Sequence, residues 1–189
     1  KAARRIVTTR RTQVAIVGGG PAGLLLGHLL RTEGIDCLIV ERQTRAHVEA
    51  RIRAGVLETL TTDLLGRLGM DAGLKAHGIR EEGFNLADGE HVIRIDITRL
   101  TGKHVIVYGQ TEMTRDLIAA APERQLEIVF EAGDVAIHDP DSDAPSISYT
   151  KNGAVHRVDC AIIAGCDGFH GPSRKAVPAS PERVFEREY

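Results

Sequence analysis

The chain has 189 residues, of which 42% are hydrophobic and 26% are charged, as is typical of one globular domain with a sizeable core. Its formal net charge of −2 argues against a nucleic-acid-binding surface or a polybasic membrane patch. No apolar run approaches the roughly 18 residues of a membrane span, and no signal-peptide pattern is visible. The three cysteines favour reduced, buried thiols, so we expect a cytoplasmic protein.

The predicted elements begin with a basic segment, residues 1–11, which we expect to be a loose N-terminal arm. Residues 12–17 are rich in β-branched side chains and predict a strand, and residues 21–34 predict a helix that a glycine ends. A second apolar strand follows over residues 37–41. Strand, helix and strand within roughly thirty residues are typical of a βαβ unit with parallel strands.

The later elements mix helices with antiparallel strands. In chain order they are a helix over 55–70, a hairpin over 84–96, a strand over 104–109, a helix over 111–121, strands over 127–132 and 134–139, a hairpin over 146–159, and a strand over 160–165. The dipeptides Asp88-Gly89 and Asn152-Gly153 indicate the hairpin turns. After Arg174 come two prolines and a charged stretch, so residues 175–189 are predicted to be a linker into a missing domain.

The stretch VAIVGGGPAGLLLG, residues 14–27, places Gly18-x-Gly20-x-x-Gly23 between the first strand and the first helix. The first glycine permits a tight turn, the second lets a pyrophosphate approach the backbone, and the third lets the helix pack closely on the sheet. A carboxylate that binds ribose hydroxyls is expected about 20 residues further on, and Glu41 lies near that spacing. The glycines alone also fit a tightly packed turn, but together with Glu41 they predict a dinucleotide site at the helix N-terminus.

Both NAD and FAD contain the ADP part that such a site holds. Three further segments distinguish them: RIRAG at 51–55, YGQTEMTRDL at 108–117 and GCDGFHGPSR at 165–174. A flavin is long, and its ribityl chain and ring need more contacts than a plain dehydrogenase supplies. The strand over 160–165 leads into a second glycine-acid motif, which is followed by its own arginine. This additional strand end therefore favours a flavoprotein.

Together, RIRAGVLE, VYGQTEMTRDL and IAGCDGFHG resemble the aromatic flavoprotein monooxygenases, from about residue 12 to residue 189. The resemblance implies an incomplete Rossmann-like FAD-binding domain over 12–174, with a parallel sheet and antiparallel hairpins, and a substrate domain that is largely absent. It implies hydroxylation of 4-hydroxybenzoate to 3,4-dihydroxybenzoate with FAD, NADPH and O2, and a possible homodimer. A hydroxylase of another phenolic acid and a truncated, non-catalytic flavin-binding module are alternatives.

The resemblance also assigns FAD contacts. They are Gly18, Gly20, Gly23 and Glu41 for the ADP part, Arg51, Arg53, Gly55 and Val56 for the pyrophosphate and ring, Gln110 for the ribityl region, and Asp167 for FAD and the passing nicotinamide. Val56 would also border the pocket of the small aromatic acid. Arginine suits a pyrophosphate because its planar guanidinium donates two hydrogen bonds and stays charged.

By the same resemblance, the residues that would recognise NADPH are Arg42, Gln43, Arg51 and His170. His47 replaces a tyrosine of close relatives, so NADH is possible as well, and Ala22 replaces a frequent serine. Glu81 replaces a histidine linked to proton transfer, so the proton route is expected to differ. No residue is expected to act as a catalytic acid, base or nucleophile, and no metal is expected.

Overall fold

The computed structural model describes residues 6–177, in which short strands alternate with helices. The strands are β1 (Ile6–Arg11), β2 (Val14–Val17), β3 (Cys37–Val40), β4 (Val56–Glu58), β5 (Ile79–Glu81), β6 (Gly83–Ala87), β7 (Val92–Asp96), β8 (Val105–Val107), β9 (Glu127–Val129), β10 (Gly133–His138), β11 (Ser146–Lys151), β12 (Ala154–Asp159) and β13 (Ile162–Gly165). The helices are α1 (Pro21–Thr32), α2 (Arg45–Ala50), α3 (Thr59–Arg67), α4 (Ala72–His77), α5 (Ile97–Thr101), α6 (Gln110–Ala120) and α7 (Pro172–Ala176), with a 3-10 turn at Pro122–Arg124. This arrangement confirms the predicted α/β class.

The central sheet is parallel throughout and has the strand order β13-β2-β3-β9. Side chains alternate across it: Val14 and Ile16 belong to the apolar cluster beneath α1 and α6, while Ala15 and Val17 belong to the cluster on the opposite face. Because both faces are covered, β2 and β3 are continuously apolar and fully buried. The predicted βαβ unit is confirmed.

A second sheet, with the order β1-β12-β11-β10, covers the other face of the central sheet. The predicted hairpin over 146–159 is confirmed as β11 and β12. The predicted loose arm is wrong for residues 6–11, because β1 pairs in parallel with β12. Arg10 also binds Glu127 at the edge of the central sheet, with 2.6 Å between Nη1 and Oε1. Residues 1–5 lie outside the described part of the chain.

Other differences from the sequence prediction concern short elements. The predicted helix over 55–70 begins as strand β4, which pairs with β8, and only α3 is helical. Helices α2, α4 and α5 were not predicted, since elements of five or six residues carry little periodic signal. Helix α7 extends past the predicted linker boundary at residue 175, and the rest of that linker from residue 178 is outside the described residues. In residues 6–177 no helix has the length and apolar character to cross a membrane.

His28 is buried between α1 and α6, and we predict that it makes folding sensitive to acid. Its Nε2 donates to the Leu117 carbonyl oxygen at 2.8 Å, whereas the buried Nδ1 has no partner. Burial lowers the pKa of this imidazole below its ordinary value of 6.5. The unfolded chain therefore binds a proton at a higher pH than the folded one, so stability is fully present above about pH 6.5 and falls as the pH decreases.

We expect this one group to cost about 1 kcal/mol of unfolding free energy between pH 7.5 and pH 5.5. His28→Gln retains an N–H donor for Leu117 but cannot titrate, so urea unfolding should depend less on pH in this variant. His77→Gln, which changes an exposed histidine at the end of α4, is the matched control. Equal pH dependence of the wild type and His28→Gln would contradict the prediction.

Candidate functional site

A cleft of about 710 Å³ opens at the carboxyl ends of β2, β3 and β13. This is where ligands bind in open α/β sheets. The predicted site residues that line it are Gly18, Gly20, Glu41, Arg42, Gln43, Arg51, Arg53, Asp167 and His170. The tertiary structure thus brings together residues from three separate segments of the chain.

The three motif glycines have different roles in this geometry. Gly18 has a φ of +109°, and a Cβ there would lie 2.4 Å from the carbonyl oxygen of Cys166. A Cβ at Gly23 would lie 2.0 Å from the carbonyl oxygen of Gly18. A Cβ at Gly20 would meet only the guanidinium of Arg53, at 3.5 Å. Gly18 and Gly23 are therefore needed by the fold itself, whereas Gly20 keeps open the space next to Arg53.

Glu41 follows β3, and backbone groups fix its carboxylate. Its Oε2 accepts a hydrogen bond from the Gly19 N–H at 2.7 Å, and its Oε1 accepts one from the Gln43 N–H at 2.8 Å. Each carboxylate oxygen can accept a further bond. The side chain is therefore held at the cleft and can still accept hydrogen bonds from ligand hydroxyls.

Arg51 and Arg53 give the cleft its positive charge beside the N-terminus of α1. Burial, together with the neighbouring Arg51, lowers the pKa of the Arg53 guanidinium below its usual range, and the attraction of Glu41 offsets this only in part. Within residues 6–177 neither arginine forms an ion pair, and α1 has no side-chain cap. Two close cations beside an uncapped helix N-terminus favour an anionic group.

Asp167 lies on the turn between β13 and α7. Its Oδ2 accepts a hydrogen bond from the Ser173 N–H at 2.9 Å, and its carboxyl group packs so closely on Gly171 that a Cβ there would lie 2.0 Å from Cγ. Phe169 and His170 border the cleft on the same turn, with the Arg174 guanidinium 4.1 Å from the centre of the Phe169 ring. This second strand end therefore faces the same space as the glycine motif.

The remaining predicted residues, Gly23, Gly55, Val56 and Gln110, do not line the cleft. The segment that contains Gly55 is joined to the start of α6, because the Tyr108 N–H donates to the Gly55 carbonyl oxygen at 2.7 Å. Thr111 likewise donates to the carbonyl oxygen of Arg51 at 3.1 Å. Gln110 and Val56 are therefore held close to the arginine segment, although not among the residues that line the cleft.

Several residues of the cleft were missed at the sequence level. They are Val17, Pro21, Ala22, Val40, Ala132, Asp134, Val135, Cys166, Gly168, Phe169, Gly171, Pro172 and Lys175. Gly168 and Phe169 belong to a segment that the sequence analysis had singled out, so their motif was a usable signal. Ala132 and Asp134 had no such signal, because only the sheet packing brings them into the same cleft as Glu41.

The cysteines are packed thiols, and of the three only Cys166 lines the cleft. All three are free thiols, and burial raises the pKa of Cys37 to about 11 and also raises the pKa of Cys160 and of Cys166. Cys166 packs partly buried against the central core. In the described ranges of the chain, no group of histidine, cysteine or acidic side chains is suited to hold a metal ion.

The family model described as "FAD binding domain" matches residues 11–189. The chain belongs to this family. This FAD-binding domain is 44% identical over 182 residues to p-hydroxybenzoate hydroxylase from Acinetobacter baylyi. The aligned region covers 96% of this chain and 45% of that protein. The predicted family and the cofactor FAD are thereby confirmed.

Solved structures agree with the fold of the FAD-binding domain. Anhydrotetracycline hydroxylase from Streptomyces rimosus matches with a TM-score of 0.72 and 27% identity, over 87% of this chain and 33% of that one. p-Nitrophenol 4-monooxygenase from Pseudomonas putida matches with a TM-score of 0.76, over 91% of this chain and 44% of that one, and at 19% identity it shows the fold alone. The chain spans less than half the length of each of these relatives.

The residues of the cleft fit FAD. Gly20 leaves a space that a Cβ would fill, Arg51 and Arg53 have no carboxylate partner there, and Glu41 presents fixed acceptors at the end of β3. These are the features that a pyrophosphate and a ribose require. Geometry and family therefore agree on the cofactor.

Proposed function

We propose that this chain is the FAD-binding part of a monooxygenase that uses NADPH and O2 to hydroxylate 4-hydroxybenzoate to 3,4-dihydroxybenzoate. The observation that carries the proposal is the 44% identity to p-hydroxybenzoate hydroxylase over 96% of the chain. The cleft supports it, since its residues suit the cofactor of such a reaction. FAD, when bound, supplies the redox chemistry and the activation of O2.

The residues of this chain bind and orient the cofactor. Gly20 and the N-terminus of α1 would admit the pyrophosphate, and the Arg53 guanidinium, which can donate two hydrogen bonds, would neutralise its charge. The fixed carboxylate of Glu41 accepts hydrogen bonds from the ribose. Asp167, which lines the cleft at the second strand end, would hold the flavin half. None of these binding roles requires a side chain to act as nucleophile, acid or base, so the proposed contribution of these residues is to bind and position the cofactor.

The nicotinamide cofactor would be recognised at the outer rim of the same cleft. Arg42 and Gln43 follow the ribose acid directly, and His170 borders the cleft from the turn before α7. His47 and Arg51 lie together in a small recess beside Gly20. The cations of this rim suit the extra phosphate of NADPH, whereas a histidine at position 47 leaves NADH as a second donor to be tested.

The substrate would lie against an exposed apolar surface next to the cleft. Val56, Val107 and Ile79 form one row across the sheet β4-β8-β5, and they are 57%, 38% and 61% exposed. Such a row suits one wall of an aromatic pocket. Glu81 lies on the same face of β5 as Ile79, because side chains two residues apart share a face, and it is an exposed carboxylate that can carry a proton.

Two further properties belong to the proposal. The three free thiols support a reducing, cytoplasmic location, which is the first of these properties. The intact protein is proposed to be a homodimer, as the family resemblance implies. Sedimentation of the intact protein tests the second property.

The proposed activity is tested by the oxidation of NADPH with the protein from the complete reading frame. We expect 4-hydroxybenzoate to stimulate the oxidation many-fold and to yield 3,4-dihydroxybenzoate, with NADH a poorer donor. Benzoate, which lacks the phenol, is the matched control and should not be converted to a hydroxylated product. If only another phenolic acid stimulates the oxidation and is hydroxylated, the proposed substrate is wrong. If the protein binds FAD but does not oxidise NADPH, the proposed monooxygenase activity is wrong.

A further inference from the structure

Strand β10 contains a bulge where it reaches the cleft. From Gly133 to Ala136 the strand advances three residues, while its partner advances two, from Thr150 to Ser148. Two residues of β10, Asp134 and Val135, therefore lie opposite one residue of β11, and Asp134 has a φ of +48°. Bulges of this kind bend a strand and redirect a side chain, and they occur often beside functional sites. Here the redirected side chain lines the cleft.

The bulge lies directly beside the proposed ribose contact. The Ala132 N–H donates to the carbonyl oxygen of Glu41 at 2.9 Å, and the Glu131 N–H donates to that of Gln43 at 3.0 Å. Main-chain hydrogen bonds therefore join the segment before the bulge directly to residues 41–43. A group attached to a ribose that is bound at Glu41 has the bulge within reach.

The surface around the bulge combines apolar walls with one acceptor. Val40, Ala132 and Val135 line this part of the cleft, and Asp134 lies among them with a carboxylate that accepts hydrogen bonds but does not donate them. A purine has apolar faces and a polar edge. Among the common purines, adenine presents an amino group, a donor, at C6, where hypoxanthine and guanine present a carbonyl oxygen.

We propose that Asp134 determines the specificity of this chain for the base of its cofactor, by accepting a hydrogen bond from the exocyclic amino group of adenine. The base rests on Ala132 and Val135. A base with a carbonyl oxygen at C6 binds more weakly, because at that position two acceptors face each other. The inference rests on FAD as the ligand of the cleft, and it is independent of the substrate and of the nicotinamide cofactor.

The positive φ at position 134 determines which substitution can change the side chain without disturbing the backbone. Asparagine tolerates a positive φ as readily as aspartate does, so Asp134→Asn retains the bulge. Its amide can both donate and accept, so it accommodates either base edge. Alanine would strain this backbone and is the less suitable change.

The experiment measures the dissociation constants of the apoprotein from the complete reading frame for FAD and for flavin hypoxanthine dinucleotide, by quenching of flavin fluorescence. We expect the wild type to prefer FAD by about tenfold and Asp134→Asn to bind the two dinucleotides about equally. Asp143→Asn, which changes an exposed acid in the turn between β10 and β11, should retain the wild-type preference.

Two results would overturn the proposal while FAD binding stands. They are equal affinity of the wild type for both dinucleotides and an unchanged preference in Asp134→Asn. Failure of the wild type to bind either flavin dinucleotide would refute the assignment of FAD to the cleft, and with it this proposal. A missing NADPH oxidase activity with normal FAD preference would refute only the monooxygenase, so the two proposals fail separately.

Discussion

Gly23→Ala is expected to prevent stable folding, while Gly20→Ala is expected to fold and to lose FAD. A Cβ at position 23 would lie 2.0 Å from the Gly18 carbonyl oxygen, and both atoms belong to the rigid turn between β2 and α1. Relief of this overlap requires α1 to move off the central sheet. We expect a loss of about 4 kcal/mol or more, or a melting temperature lowered by roughly 10 °C or more.

At position 20 the same methyl group would meet only the end of the Arg53 side chain, at 3.5 Å. That distance is an ordinary contact, so the melting temperature of the apoprotein should change by no more than about 2 °C. The methyl group would nevertheless occupy the space through which the pyrophosphate approaches the backbone. We expect FAD affinity to fall at least about tenfold.

Thermal unfolding without FAD and fluorescence titration with FAD separate the two effects. Gly34→Ala serves as a further control, since the space around Gly34 is open and only its φ of +72° is strained. It should destabilise the fold modestly and leave FAD affinity unchanged. Equal melting temperatures for Gly23→Ala and Gly20→Ala would show that the turn is not packed as described.

Arg53→Ala is expected to weaken FAD binding about a hundredfold without destabilising the apoprotein. The guanidinium faces Gly20 across the cleft, and it has no ion-pair partner within residues 6–177. A bidentate, charge-assisted contact to a pyrophosphate contributes about 3 kcal/mol, which corresponds to this loss of affinity. Burial and Arg51 already disfavour the charge of Arg53 in the apoprotein, as its lowered pKa indicates.

The melting temperature of apo Arg53→Ala should therefore be unchanged or slightly higher, and the added stability that FAD confers should be largely lost. Arg53→Lys retains the charge but not the planar fork, so an intermediate affinity is expected. Arg67→Ala, at the exposed end of α3, is the matched control and should bind FAD like the wild type. A lower apo melting temperature with unchanged FAD affinity would show that Arg53 supports the fold instead.

The sequence predicted those elements correctly whose structure depends on residues close together in the chain. The continuous apolar runs of β2 and β3 and the glycine spacing after β2 predicted the βαβ unit and its ligand, because turn, strand and helix preferences act within a few residues. The Asp88-Gly89 and Asn152-Gly153 turns likewise fixed both hairpins. The motif at 165–174 indicated that a second strand end borders the same cleft.

Other features depend on partners far along the chain. Strand β1 exists because β12, nearly 150 residues later, offers it an edge, and β4 is a strand because β8 pairs with it. The residues of β1 also suit a loose arm and those of β4 a helix, so the local sequence pattern alone predicts the wrong secondary structure. The short helices α2, α4 and α5 depend on packing in the same way, since isolated helices of this length are unstable.

For the candidate site, the sequence by itself determined which residues of the first βαβ unit and the following segment are available to a dinucleotide: the glycines, the acid at position 41 and the arginines that follow. Each of these is encoded at a fixed spacing within one stretch of chain. Only the tertiary structure decided which glycine faces the open cleft and which one the fold requires, and only it brought Asp134 into the same cleft as Glu41. The reason is physical: spacing along the chain specifies local geometry, whereas the walls of a cleft come from segments that meet when two sheets pack against each other.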